Sequence, residues 1–250
     1  MATAAPINCA ARHWQRFDQF LMNAIARFLL RVLKESPAVY TVCGHRPEPY
    51  PQEFERTGAA FIHIPKNGGL SVLSAVYGDG FQVGHKPYRY YEELYPDRLA
   101  ADTVFTTVRN PFARVFSAYT FLQAGGMNHT DKKWAQLNLR EYSSFREFVY
   151  SLEKPRVRKR VLDWKHFRPQ VWYLLDSSGN IGPDVVLPLE QIDQAIQKLE
   201  SLLAIKIELK KINSTNSSSP HYDRRMETIV ADVYEDDFRI LGYPADAPYA

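Results

Sequence analysis

Three short stretches carry residues whose types and spacing suit work on an anion. The first is His63-Ile64-Pro65-Lys66-Asn67-Gly68-Gly69-Leu70-Ser71. Its paired glycines let backbone N–H groups approach a charged ligand closely, and Lys66 adds a full positive charge. If a helix starts here, its unsatisfied N–H groups face the same ligand, and the loop becomes a phosphate cradle. The lysine precedes the glycines, so the order Gly-x-x-x-x-Gly-Lys-Ser/Thr is absent and an ATP-type kinase is disfavoured. The second stretch is Arg109-Asn110-Pro111-Phe112-Ala113-Arg114-Val115-Phe116-Ser117. There an arginine stands just before a helix start and Ser117 lies two turns along it, an arrangement able to hold a second phosphate. The third is Val83-Gly84-His85-Lys86, in which His85 suits proton abstraction near neutral pH.

These residues need strands and helices to position them. Ala59 to Ile64 is a short apolar run closed by Pro65, as expected of a buried strand, and Ser71 to Tyr77 continues as a helix. Thr103 to Val108 is a second such strand; Asn110 is a good N-cap, Pro111 suits the first helical position, and Phe112 to Leu122 is amphipathic. Gly80 to Val83 reads as a further strand with His85 at its end. Asp184 to Leu187, followed by a helix from Gln191 to Leu203, completes the alternation, and Asp223 to Phe238 reads as one long closing helix. Strands alternating with helices give an α/β fold around a central, mostly parallel sheet covered on both faces.

With both constellations in place, the chain resembles sulfotransferases that use 3'-phosphoadenosine 5'-phosphosulfate (PAPS), of the carbohydrate and heparan 2-O type. That family binds the 5'-phosphosulfate on Lys-Thr-Gly-Gly-Thr-Ser and the 3'-phosphate on Arg-Asp/Asn-Pro-x-x-Arg-x-x-Ser. Lys66, Gly68, Gly69, Ser71, Arg109, Asn110, Pro111, Arg114 and Ser117 match, whereas Asn67 and Leu70 stand where threonines are common. The resemblance runs from about Phe61 to Tyr243 and includes His166-Phe167-Arg168-Pro169-Gln170. It implies a P-loop-like three-layer sandwich, PAPS as donor substrate, no metal, Lys66 beside the leaving oxygen and His85 as base. It implies a donor site of Lys66, Asn67, Gly68, Gly69, Leu70, Ser71, Arg109 and Ser117, with the backbone of Leu70 serving in place of a hydroxyl. The adenine would lie against Lys210 to Pro220, where Lys211, Asn213, Ser214 and Ser217 offer polar contacts, although this composition equally suits an ordinary loop. His63, inside the apolar strand, is expected to be a hydrogen-bonded core histidine. His166 and Gln170 form a weaker pair for acceptor or donor contact.

The chain has 250 residues, 45% of them hydrophobic and 24% charged, with a net charge of +3. That suits a globular protein and gives no support for a dedicated nucleic-acid partner. The expected partition is an N-terminal helix and proline-rich lead-in over 1–57 and a sulfotransferase domain over 58–250. Pro37, Pro47, Pro49 and Pro51 make the lead-in extended. Residues 20–33 are apolar but broken by Arg27 and Arg31, and 15–34 reads as an amphipathic helix packed on the domain or on a partner rather than a membrane span. Weak attachment to a membrane surface through that helix is the lesser option, and a cytoplasmic location is expected. Cys9 and Cys43 read as incidental or as reduced thiols. The basic run Lys154 to Arg168 is expected to be a solvated helix face rather than an acceptor site. The acceptor is a hydroxyl, on a sugar by family analogy. A P-loop-like kinase, which would need Mg²⁺, and a catalytically inactive nucleotide-binding module remain open on the residues alone.

Overall fold

Strand β1 (Ala59–Ile62), β2 (Thr103–Val108) and β3 (Val185–Pro188) are rich in β-branched and aromatic residues and pair in parallel, in the order β1-β2-β3. Ile62 lies opposite Thr106, and Thr107 opposite Leu187. The four residues of β1 are buried, as is all of β2 after Thr103, so helices cover both faces. Parallel strands bring their carboxyl ends to one edge, where an α/β fold binds its ligand. The computed structural model describes residues 48–209 and 221–245. The expected N-terminal helix, both cysteines, and Lys211, Asn213, Ser214 and Ser217 lie outside the described residues. The chain separates into two compact units, Met1–Pro49 and Tyr50–Ala250, and every element described lies in the second.

Helices α1 (Gln52–Thr57), α2 (Gly69–Tyr77), α3 (Tyr88–Leu94) and α4 (Pro96–Ala101) belong to the half built on the sheet, with α9 (Gln170–Leu174) and α10 (Ile192–Leu203). A second apolar core is helical. It gathers α5 (Pro111–Gln123), α6 (His129–Asn138), α7 (Phe145–Ser151), α8 (Pro155–Leu162), α11 (Arg224–Val233) and α12 (Glu235–Leu241). Helix α5 starts as its sequence dictates, with Asn110 accepting from the N–H of Phe112 and Pro111 in the first turn. Within α8 the basic run is the solvated face expected of it, with Arg158 paired to Asp232, Lys159 to Asp163 and Arg160 to Glu141, whereas Lys165 and Arg168 beyond the helix are half-buried. Among the described residues no helix is long and apolar enough to cross a membrane.

Three expectations need correction. Residues 52–57 are helical, not extended: Pro51 takes the extended N-cap position, no proline follows it, and Gly58 ends the turn at a φ of +63°. Gly80 to Val83 is not a strand. The outer edge of β1 is occupied instead by side chains, since Tyr77 Oη donates to the Ala59 carbonyl and His85 Nδ1 to that of His63. Phe81 packs on Phe54 and Tyr77, and the Val83 carbonyl is taken by the His63 ring. The closing helix is broken at Tyr234, whose hydroxyl reaches back to the Phe167 carbonyl at 2.8 Å.

Phe54 joins α1 to the sheet half, fully buried among Tyr50, Tyr77, Phe81 and Tyr91. Phe54→Ala is expected to cost about 3–5 kcal/mol in urea unfolding, the usual figure for emptying a buried aromatic site. A loss below about 1 kcal/mol would mean that α1 is dispensable to the fold.

Candidate functional site

The loop from β1 to α2 is shaped by two positive φ angles and two close fits. Lys66 has a φ of +74° and Gly68 one of +73°, so a lysine is held in a conformation that L-residues adopt at a cost. A Cβ on Gly68 would meet Leu189 Cδ1 at 2.8 Å, and one on Gly69 would enter the His63 ring. Gly69 is therefore required by its neighbour and Gly68 by its backbone conformation. Gly68 caps α2 without a side chain and no acid stands in the first turn, which leaves the helix start suited to an anion. Ser71 lies in that turn, and Leu70 turns its side chain onto the sheet core.

Asn67 behaves differently from the glycines around it. Its amide is fully buried, and Nδ2 donates to the Thr107 carbonyl and to Gln170 Oε1, both at 2.8 Å. Its side chain is committed to these interior bonds, so a contact from Asn67 to a donor would come from its backbone. Gln170, expected to contact a substrate, is likewise fully buried and cannot do so. Its Oε1 accepts from the Arg109 N–H and its Nε2 donates to the Arg109 carbonyl, each at 2.9 Å. Asp237 accepts from the backbone N–H groups of Gln170 and Val171. Burial raises the Asp237 pKa, and the Arg114 charge works against that.

Arg109 leaves the end of β2 and its Nη1 donates to the Lys66 carbonyl at 3.4 Å. The structure thus brings Lys66 and Arg109 together, with Ser117 half-buried two turns along α5. Arg114 is turned inward, its Nε donating to the Pro65 carbonyl at 3.1 Å, so it braces the first loop from below. Glu190, which the sequence did not single out, accepts from the Asn110 N–H and from Tyr243 Oη.

Beyond Lys66 the site becomes aromatic and imidazole-rich. Lys66 Nζ stands 3.8 Å over the Phe121 ring, a cation–π contact between the two halves of the fold. Burial, joined by the Arg109 charge, pushes the Lys66 pKa down to about 8, and Asp131 pulls it back. The His85 ring lies 4.3 Å from that of His63 and 6.3 Å from that of His166. His63 is buried, with Nδ1 on the Val83 carbonyl at 3.1 Å, the core role expected of it. A carbonyl can only accept, so the 3.0 Å contact of His85 Nδ1 with the His63 carbonyl places the proton on Nδ1 and leaves Nε2 with its lone pair. His166 Nε2 faces Asp131 at 3.2 Å, and Lys165 Nζ lies 3.4 Å from the same oxygen. Phe121 lies one turn beyond Ser117 on α5 and Asp131 follows on α6, and neither carries a motif that marks it for the site.

Residues 81–244, more than half of the chain, match the sequence model of the sulfotransferase family. The parallel sheet with flanking helices agrees with that match, and the chain belongs to the sulfotransferase family. The match takes in Arg109, His85, His166 and Gln170 and begins after the Lys66 loop. No curated protein and no solved structure matches the chain.

Burial holds the His63 pKa down to about 4 and that of His85 to about 3, the latter also through the neighbouring His63. Both values lie below the 6.5 of an unfolded histidine, so the unfolded chain takes up protons first as the pH falls. Stability is whole above about pH 6.5 and drains below it, by about 1.4 kcal/mol per pH unit for each ring. Urea unfolding at pH 5.5 should show roughly 2–3 kcal/mol less stability than at pH 7. A flat profile would show that these rings accept protons without unfolding.

Proposed function

We propose that the chain transfers a sulfuryl group from PAPS to an acceptor hydroxyl on a carbohydrate or glycoconjugate. Membership of the sulfotransferase family supports sulfuryl transfer. The observation that carries the donor is the tie between the two motifs, in which Arg109 Nη1 reaches the Lys66 carbonyl. Two cations from neighbouring strand ends suit a nucleotide with anionic groups at its 5' and 3' positions. The half-buried Trp134 and Trp164 stack on each other at 5.1 Å, Trp164 lying 6.3 Å from the His166 ring, and a sugar as acceptor follows the family analogy.

In the reaction the acceptor oxygen bonds to sulfur while the bond from sulfur to the 5'-phosphate oxygen breaks. The hydroxyl proton passes to His85 Nε2, whose lone pair the Nδ1 hydrogen bond keeps available. Lys66 supplies positive charge to the departing oxygen. The low proton affinity of His85 belongs to the protein without donor, and an adjacent phosphosulfate raises it.

Calorimetry with adenosine 3',5'-bisphosphate tests the site. Lys66→Ala and Arg109→Ala should each weaken binding by roughly ten- to a hundredfold, as expected for loss of a charge-assisted contact. Unchanged affinity in both would remove the site assignment. His85→Ala should bind within about twofold of the parent and lose transfer by roughly a hundredfold or more. A labelled-donor screen over glycans, glycolipids and small phenols tests the acceptor, and label confined to phenols would exclude the sugar.

Lys66 also sets a pH dependence. Its cation is lost as the pH rises through about 8, so bisphosphate affinity should fall across pH 8–9.5. Lys66→Arg, which stays charged, should flatten that fall. Equal slopes in parent and variant would assign the titration to another group.

A further inference from the structure

Gln170 touches both donor motifs at once. Its Oε1 accepts from Asn67 Nδ2 at 2.8 Å and from the Arg109 N–H at 2.9 Å. Its Nε2 donates to the Arg109 carbonyl at 2.9 Å and to Asp237 Oδ2 at 3.3 Å. All four hydrogen-bonding positions of the amide are filled, two by donors and two by acceptors. Turning the amide over would set its NH₂ against the Asn67 NH₂ and the Arg109 N–H, so the orientation is fixed by the network. The backbone is fixed as well, because Asp237 accepts the Gln170 and Val171 N–H groups. Asn67 extends the tie to the Thr107 carbonyl near the end of β2. One buried amide therefore fastens the β1 loop and the β2 end to the start of α9.

A nucleotide with phosphates at both ends gains from two cation sites only if they already stand at the right span. Otherwise the first contact does not present the second, and much of the binding energy goes into ordering the loops. We infer that Gln170 is a positioning residue that fixes the spacing of the Lys66 loop and Arg109. It thereby sets the preference for adenosine nucleotides phosphorylated at both 3' and 5' positions over those with a 5'-phosphate alone. This rests on the reading of the two motifs as the donor site. Gln170 itself touches no donor, since it is fully buried.

The experiment compares the parent chain with Gln170→Met, of similar length but without polar atoms, and with Asn67→Thr, which leaves the bonds between Gln170 and Arg109 in place. Calorimetric affinities for adenosine 3',5'-bisphosphate and for AMP are measured, with the donor KM, kcat and the nucleotide-free melting temperature. In Gln170→Met the bisphosphate affinity should fall about tenfold or more while AMP stays within about threefold, so the preference shrinks. Donor KM should rise by a larger factor than kcat falls. Asn67→Thr should move the same ratios less far, and it carries the test if Gln170→Met does not fold. A preference kept at the parental ratio in a folded variant, with only the melting temperature lowered, would falsify the positioning role and leave the donor site standing. Failure of the parent chain to bind either nucleotide would instead remove the donor site, and the inference with it.

Discussion

Asp237 brings a carboxylate from α12 into the fully buried interior, where it accepts the N–H groups of Gln170 and Val171. An unsatisfied carboxylate there would cost several kcal/mol, so these bonds are a condition of folding rather than an addition to it. Through Gln170 the same carboxylate orients the chain at Arg109 and the Asn67 amide. Arg114, whose charge opposes the burial of Asp237, braces the Pro65 carbonyl. The last helix of the described fold thus determines the shape of a loop that follows its first strand. That dependence explains why the site sits where the sheet core and the helical core meet.

The elements that hold the cations were legible because their signals are local. Thr103 to Val108, Asn110 and Pro111 spell a strand and a capped helix within a few residues, and the structure forms them at those positions. The sheet-edge segment was not legible: Phe81 and Val83 alternate like strand residues, but their environment is decided by Phe54, Tyr77 and His63. The break at Tyr234 has the same origin, a single hydroxyl drawn to a carbonyl 67 residues away. In the site, Lys66, Arg109 and His85 could be named from their own motifs. Gln170 could be named but not given its role, since its partners come from three other elements. Asp131, Phe121 and Glu190 became functional candidates only once the fold placed them beside those motifs.

Positive charge is concentrated at this junction beyond what the fold itself needs. Lys66 and Arg109 stand close enough to depress the Lys66 pKa, with Arg114 adding to the effect. Lys66 is also held at a positive φ. Both features oppose folding, and an anion in the cradle would offset the first by supplying counter-charge. An anion bound there would stabilise the folded loop by mass action.

The hydrogen bond from His85 Nδ1 to the His63 carbonyl has a second reading. Among the described residues β1 ends the sheet on one side, and a terminal strand with bare carbonyls invites a strand from another molecule. Tyr77 and His85 close that side with a phenol and an imidazole in place of a fourth strand. The proposed proton acceptor would thereby also guard the sheet against self-association. Its replacement would change the exposed edge of the sheet as well as the proposed proton transfer.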